Sequence, residues 1–340
     1  MLTRITGVSF TSVEVCAGAG GQALGLHQAG FEHLALVEYD PTACETLRRN
    51  GEKWGWHDRV VERDLRTWKP NASLEGVTLV AGGVPCPPFS IAGKQLGAHD
   101  ERDLFPALLK VVEELRPRAV QAENVRGLLA KQFDAYRSQI EDELLELGYL
   151  TQWQLLNACD FGVSQLRPRT VMVALRPEDM KHFEWPTPRP RQPRSVGERL
   201  LKSMSARGWE GAEAWAARAN GIAPTLVGGS KKHGGPDLGP TRARRAWARM
   251  GVNGLGLGDE VPGPGFVGDP KLTVQQAALL QGFPAYWQFH GRKTAAYRQV
   301  GNAFPPPVAK SVGKAVAAAL ACGQVEEVNE PTLRPALLAV

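Results

Sequence analysis

Cys86 lies in the stretch Gly82-Gly83-Val84-Pro85-Cys86-Pro87-Pro88-Phe89-Ser90, a free thiol at the end of an apolar run, in a loop whose prolines fix its shape. A buried cysteine is usually inert packing. Placement at the carboxyl edge of a sheet would make nucleophilic chemistry the sharper reading. A second run, Gln121-Ala122-Glu123-Asn124-Val125, ends in an acid and an amide, where most acids are simply solvated. A third feature is Val13-Glu14-Val15-Cys16-Ala17-Gly18-Ala19-Gly20-Gly21, a glycine-rich turn between a candidate strand and a helix. Glycines there let the chain turn sharply and bring backbone N–H groups against a cofactor, although a plain tight turn would read the same way. Glu38 closes the next apolar run, where a carboxylate can accept from ribose hydroxyls, and Asp64 is a further acid downstream. A thiol, an acid and a glycine loop at neighbouring strand ends would converge on one crevice suited to an adenosine-containing cofactor.

The elements that must position these groups alternate. Val13 to Cys16, Ala35 to Val37, Val77 to Ala81, Ala119 to Ala122, Gln152 to Leu156 and Thr170 to Leu175 read as strands. Helical spacing covers Gln22 to Ala29, Thr42 to Asn50, Leu104 to Leu115 and Tyr136 to Leu147, and returns at Thr273 to Gln281 and Pro305 to Leu320, the last with Pro in its first turn. Repeated β-α-β order predicts a doubly wound, mostly parallel sheet, an α/β fold. Between Pro186 and Pro270 the composition changes to sixteen Gly and ten Pro, and the periodicity fades. That stretch reads as a loop-rich second domain.

These motifs, in this order, resemble the cytosine-5 DNA methyltransferase family. Glu14 to Gly21 is similar to its cofactor loop, Pro85-Cys86 with Phe89-Ser90 to its nucleophile motif, and Glu123-Asn124-Val125 to its ENV. Gln165-Leu166-Arg167-Pro168-Arg169 matches QxRxR, and Arg298-Gln299-Val300-Gly301-Asn302-Ala303 resembles the final GN motif. The likeness covers roughly residues 10 to 176 and 272 to 320. It implies a Rossmann-like S-adenosylmethionine-dependent methyltransferase fold, with residues 1–185 and 291–340 as catalytic domain and 186–290 as a smaller target-recognition domain. It also implies a cofactor site of Glu14, Cys16, Ala17, Gly18, Gly20, Gly21, Glu38, Tyr39, Asp64, Leu65, Pro85, Leu104, Asn302 and Ala303. Cys16 stands where an aromatic residue usually packs on the cofactor, Ser164 replaces a common Pro, and Gln275 a usual Arg.

The same resemblance assigns the chemistry. Carbon 5 of cytosine is a poor nucleophile, so Cys86 would attack carbon 6, and carbon 5 would then take a methyl group from S-adenosylmethionine, leaving S-adenosylhomocysteine. Glu123, with a raised pKa, would stabilise charge at ring nitrogen 3. Arg169 would bind the carbonyl oxygen, and Arg167 would support the nucleophile loop or a phosphate. The target base must leave the duplex, at a cost of a few kcal/mol. The polar loop Pro87 to Arg102, with Ser90, Gly93, Lys94, Gln95 and Arg102, would close over the opened double-stranded DNA. Gln165, Thr225, Leu226, Lys231, Lys232, Arg242, Arg244 and Arg245 are the remaining candidates for DNA contact.

Composition sets the bounds. The 340 residues are 43% hydrophobic and 22% charged, with net charge +5, an ordinary globular range. Thirteen Lys or Arg against seven Asp or Glu fall between Pro186 and Pro270, so the positive excess sits on the recognition segment. A basic segment of this kind suits phosphate, and a solvated basic face reads alike. No apolar run reaches the roughly 20 residues needed to span a bilayer, and the first residues lack a secretory pattern. The five cysteines are scattered without a CxxC pair, arguing against a disulfide framework or a structural zinc. A stand-alone, cytoplasmic, monomeric modification enzyme is expected, with no metal and with a restriction nuclease as a functional partner. A tRNA methyltransferase of the same fold is the alternative, but its Cys-Phe-Thr element is absent. A non-catalytic relative would not need Cys86 and Glu123. A nicotinamide dehydrogenase would leave both unexplained.

Overall fold

The structure, a computed structural model, describes residues 9–85, 103–189, 192–228 and 237–329. Seven strands form one sheet: β1 (Phe10–Val15), β2 (Phe31–Glu38), β3 (Val60–Glu62), β4 (Leu79–Gly82), β5 (Ala119–Val125), β6 (Leu150–Asn157) and β7 (Pro168–Leu175). Their order is β3-β2-β1-β4-β5-β7-β6, parallel throughout except β7, which runs antiparallel to both neighbours. The parallel, mostly buried architecture follows from near-continuous apolar runs such as Leu79–Gly82, buried at all four positions. β3, three residues with no buried position, carries too little pattern to be expected from sequence.

The chain winds from β1 outward to β3, then jumps back to β4 beside β1. That reversal opens a crevice at the carboxyl ends of the two strands. Val15 sits opposite Gly82 in the register, so the glycine turn after β1 and the chain after β4 leave the sheet side by side. Helix α1 (Gly21–Ala29) begins at a left-handed Gly20, and α2 (Pro41–Gly51) is capped by Asp40, whose carboxylate accepts from Thr42 and Ala43 N–H, with Pro41 in the first turn.

One face of the sheet buries Val13, Val80 and Val120 against α3 (Phe105–Leu115) and α4 (Asp134–Glu146). The other packs Leu79, Ala81 and Val173 against α1 and the long α11 (Pro306–Asn329). The short α5 (Pro177–Met180) places buried Asp179 against Arg118. No helix among the described residues is long and apolar enough to cross a membrane.

The segment read as loop-rich is more ordered than expected. It holds α6 (Val196–Met204), α7 (Ala212–Arg218) and α8 (Thr241–Arg249), followed by α9 (Val274–Gln281) and α10 (Lys293–Asn302). α6 starts in a capping box, Ser195 with Glu198, and α9 in another, Thr273 with Gln276. The segment does not close on a core of its own. Trp215, Trp247, Leu272 and Trp287 belong to one apolar cluster with Leu24, Leu36, Leu47 and Trp56 of the first units.

Beneath the glycine turn, His33 is 2% exposed and bridges β1 to α1. Its Nε2 lies 2.9 Å from the Ala23 carbonyl and its Nδ1 2.9 Å from Ser12 Oγ. A carbonyl only accepts, so Nε2 carries a proton. Burial lowers its pKa to about 4, with a smaller contribution from His27. The unfolded chain therefore binds a proton near pH 6.5 that the folded chain refuses until about 4, and stability falls on acidification through that window by roughly 3 kcal/mol. Subtracting the pH–stability curve of His33→Gln from that of the wild type should expose this slope between pH 6.5 and 4. Parallel curves would exclude it.

Candidate active site

The glycine turn is held open from below. Glu38, at the end of β2, accepts from Gly18 N–H through Oε2 at 2.8 Å, and from Tyr39 and Asp40 N–H through Oε1 at 2.9 and 2.8 Å. Ala17 N–H donates to Val37 C=O at 3.0 Å. Gly18 (φ +54°) has nothing within 4 Å of where a Cβ would stand, so its backbone is bare toward the crevice. Cys16 is itself in the left-handed region, φ 51°. Burial, with Glu38 and Asp64 nearby, pushes its thiol pKa far up, which keeps it uncharged.

At the end of β5, Glu123 is 8% exposed and its Oε1 meets Arg169 Nε at 2.6 Å. Burial raises its pKa, opposed by Arg169 and Arg167. The next residue, Asn124, donates from Nδ2 to the Val84 carbonyl at 2.9 Å, tying β5 to the chain after β4. Leu104 N–H donates to Pro85 C=O at 3.0 Å, so the chain on either side of residues 86–102 is pinned together. Cys86, Ser90, Gly93, Lys94, Gln95 and Arg102 lie outside the described residues, as do Lys231 and Lys232.

Arg167 departs from expectation. It is 0% exposed, and its guanidinium donates to Leu226 C=O at 2.7 Å, Gly301 C=O at 2.7 Å and Ala303 C=O at 2.9 Å. No phosphate could reach it; it joins the start of β7, the chain at Leu226 and the end of α10. Gln165 and Leu226, expected at DNA, are likewise fully buried. Gln165 donates to Gln281 Oε1 at 2.5 Å and accepts from Leu226 N–H at 2.8 Å, while Gln281 donates to Ala303 C=O at 2.6 Å. The Thr225 hydroxyl is used on the Leu166 carbonyl. Gly301 supplies the close crossing this joint needs, since a Cβ there would stand 2.3 Å from Gly228 N. Gln275, at the position of the family's usual Arg, donates to Ala285 C=O at 2.8 Å.

α8 presents Arg242, Arg245 and Arg249 exposed at i, i+3, i+7, one stripe of the helix, with Trp247 buried on the other side. Among the described residues none of the three pairs with an acid. Arg244 differs: it is half-buried, 3.8 Å from Asp237 and packed over Gly254.

A cavity of about 430 Å³ opens at the crevice, within the usual range for small-molecule sites. Of the expected cofactor residues Glu14, Cys16, Ala17, Gly18, Gly21, Glu38, Tyr39, Pro85, Leu104, Asn302 and Ala303 line it, and so does Glu123. Gly20, Asp64 and Leu65 do not. Gly20 faces Leu47 and Trp287, Asp64 pairs with Arg66 in a turn, and Leu65 is core. Sequence reasoning missed Gln22, Asp40, Arg298 and Phe304 on the same wall. Gln22, Asp40 and Phe304 carry no sequence signal beyond adjacency to expected residues, while Arg298 opens the Arg298 to Ala303 motif. Among the described residues no cluster of three His, Cys, Asp or Glu could hold a metal.

A glycine-lined cavity at a topological switch point, with the buried acid Glu123 on its wall, is the arrangement of an α/β enzyme of the nucleotide-cofactor class. Solved structures with this fold include a putative DNA modification methyltransferase of an Escherichia coli prophage (TM-score 0.63, 20% identity, 92% of this chain and 100% of that one). Another is a Spodoptera frugiperda DNMT2 variant (0.61, 17%, 91% and 100%). The family model for C-5 cytosine-specific DNA methylase matches residues 10–234 and 260–318. Type II methyltransferase M.NaeI of Lentzea aerocolonigenes is 55% identical across 92% of this chain and 76% of its own length. M.NgoMIV of Neisseria gonorrhoeae is 51% identical across 92% and 99%. The chain belongs to the C-5 cytosine-specific DNA methylase family, and it is a methyltransferase.

Proposed function

We propose that the protein methylates carbon 5 of a cytosine flipped out of double-stranded DNA, within one short sequence, as the cytoplasmic modification partner of a restriction nuclease. The observation that carries this reading is Glu123 on the cavity wall, paired with Arg169 and carried on β5 beside the strand that leads to Cys86. Cys86 forms a bond from sulfur to carbon 6 of the ring, and the electron pair moves toward carbon 5, which becomes able to accept an alkyl group. Glu123, its pKa raised by burial, holds a proton for ring nitrogen 3, and Arg169 orients that carboxyl while offering N–H groups to the ring carbonyl. Loss of the carbon 5 proton then expels the sulfur. S-adenosylmethionine, when bound, supplies an electrophilic methyl group. The unpartnered buried oxygen of Glu14 and the bare backbone at Gly18 fit such a molecule, and Glu38, Tyr39, Asn302 and Ala303 are the further residues that would hold it.

The likeness to Type II methyltransferases favours DNA over tRNA, and the DNMT2 likeness concerns fold alone. Bisulfite sequencing of plasmid from cells expressing the protein is expected to show one short motif methylated. DNA carrying 5-fluorocytosine at that position should form a denaturation-resistant adduct. Unmodified cytosines in DNA from cells with abundant folded protein would refute the reading.

For DNA contact, the exposed α8 stripe replaces the buried candidates. Arg242→Ala, Arg245→Ala and Arg249→Ala are each expected to reduce the slope of log binding constant against log salt by about one, the release of roughly one counterion. Arg244→Ala should leave the slope unchanged. Fluorescence anisotropy between 50 and 200 mM salt, as an approximate working range, measures both. Equal slopes in all four variants would remove α8 from the interface.

A further inference from the structure

Four cations gather on a face that has no residue in common with α8. Arg189 and Arg194 lie on the strap that joins α5 to α6, and Lys310 and Lys314 lie on α11. Between Trp185 and Ser195 the strap has four prolines, which supply no N–H for a ladder, and no acid. Its course is fixed by its neighbours: Trp185 Nε1 donates to Gln152 Oε1 at 2.9 Å, and Arg189 N–H donates to Asp160 C=O at 2.8 Å. The Arg189 guanidinium lies across Gly162, where a Cβ would stand 2.9 Å from Nη1, so the glycine makes room for the charge. α11 reaches the same place from the other side. Val163 and Pro307, in the first turn of α11, both pack over Gly282. Lys310 and Lys314 then follow at i, i+4, neighbours on one stripe of a helix that has no Asp or Glu from Pro306 to Val325. Burial, and after it the charges of Lys314 and Arg189, lower the Lys310 pKa, so the three act as one cluster. Arg194 stands beside Arg199, whose Nε donates to Leu279 C=O at 3.1 Å on the last turn of α9, the turn that ends at Gly282.

Among the described residues no acid pairs with any of the four. Asp160, whose carbonyl holds Arg189, turns its carboxylate to Asn157 Nδ2 at 3.2 Å. Like charges collected in this way repel one another until a polyanion covers them. The cluster also stands at the edge of the sheet that carries the cavity. β6 runs parallel to β5 across β7, so Leu156 is level with Val125, two residues past Glu123, and Asp160 follows just beyond. α11 begins two residues after Phe304 on the cavity wall. A duplex with one base in the cavity continues past this edge, presenting a phosphate about every 1.7 Å of its axis.

We infer that Arg189, Arg194, Lys310 and Lys314 form a second phosphate-binding face, which takes the backbone of DNA on one flank of the recognised sequence. This rests on the DNA reading given above. Phosphates are alike at every step, so the face adds affinity without adding sequence preference. Because it lies to one side of the cavity, only one arm of the duplex can reach it.

Fluorescence anisotropy tests this with duplexes extended by about 15 base pairs, roughly 50 Å, on one arm or on the other. The methylated motif carries a methyl group on one strand already, which leaves a single target cytosine and fixes the orientation. One extension is expected to tighten wild-type binding by about tenfold and the other by less than about threefold. The quadruple variant Arg189→Gln, Arg194→Gln, Lys310→Gln, Lys314→Gln should lose that difference, and the slope of log binding constant against log salt on the favoured arm should fall by about 3.5. Its rate of methyl transfer on a saturating, unextended duplex should match the wild type. The pair Arg189→Gln, Lys314→Gln, both exposed, should give about half the change in slope even if the quadruple variant folds poorly. Equal wild-type affinities for the two extensions, or variants that keep the difference, would overturn the inference. An equal loss on the unextended duplex would place the four residues at the target and overturn it too. Failure of the wild type to bind any duplex would instead overturn the DNA reading.

Discussion

Cys86→Ser is expected to lower methyl transfer by roughly 10⁴-fold or more, the scale seen when a covalent nucleophile is removed. A serine hydroxyl is ionised far less readily than a thiol and attacks a pyrimidine ring poorly, while its size and polarity preserve the loop. The loss should therefore fall on the chemical step. Single-turnover assays with tritiated donor would register it, and the fluorocytosine adduct should vanish with it. DNA affinity measured in parallel should stay within about threefold, since Cys86 contributes a bond only after the base has left the duplex. Methylation at wild-type rate in the serine variant would exclude covalent catalysis at this position, and with it the role assigned to Glu123, which only has charge to stabilise once the ring has been attacked.

The second large effect is on stability. Arg167→Met should destabilise the fold by about 4 kcal/mol, because it strips three carbonyls of their donor inside a dry joint. At roughly 2 °C per kcal/mol for a chain of this size, Tm falls by about 8 °C. The three acceptors, on Leu226, Gly301 and Ala303, come from two distant parts of the chain. Arg167→Lys is expected to fail nearly as badly, since a single ammonium on a flexible stem cannot span them. Differential scanning calorimetry gives the number. Limited proteolysis should show early cuts in the 186–290 segment. A variant with unchanged Tm and unchanged proteolysis would mean the joint is held elsewhere, through Gln165 and Gln281.

Much of the site was legible because its chemistry is written in residue types at strand ends. The glycine turn, Glu38, Glu123 and the Pro85 end all face one cavity, as expected from β-α-β order. What the motifs could not give is which partner each side chain finds. Arg167 and Arg169 stand two apart at the same strand, yet one goes to backbone carbonyls and the other to a carboxylate. Gln22 stayed invisible because nothing about a glutamine after two glycines signals a place on the cavity wall. In the fold, α6 has a good stripe in Val196, Leu200 and Met204, but glycine and proline averaged over the whole segment hid it. α8 has only Trp247 as a large buried residue, so it lacks an apolar period altogether. β7 runs antiparallel because the chain turns back beside β6 through residues 158–167, and strand direction leaves no trace in side-chain periodicity.

The apolar cluster that runs from Leu24, Leu47 and Trp56 into Trp215, Trp247 and Trp287 bears on how new sequence preferences could arise in this lineage. Grafting residues 186–290 of a relative onto this scaffold would transplant half of a jigsaw. Successful hybrids would have to carry matching aromatic pieces on both sides of the seam. Exchange by recombination should accordingly be easiest between close cousins.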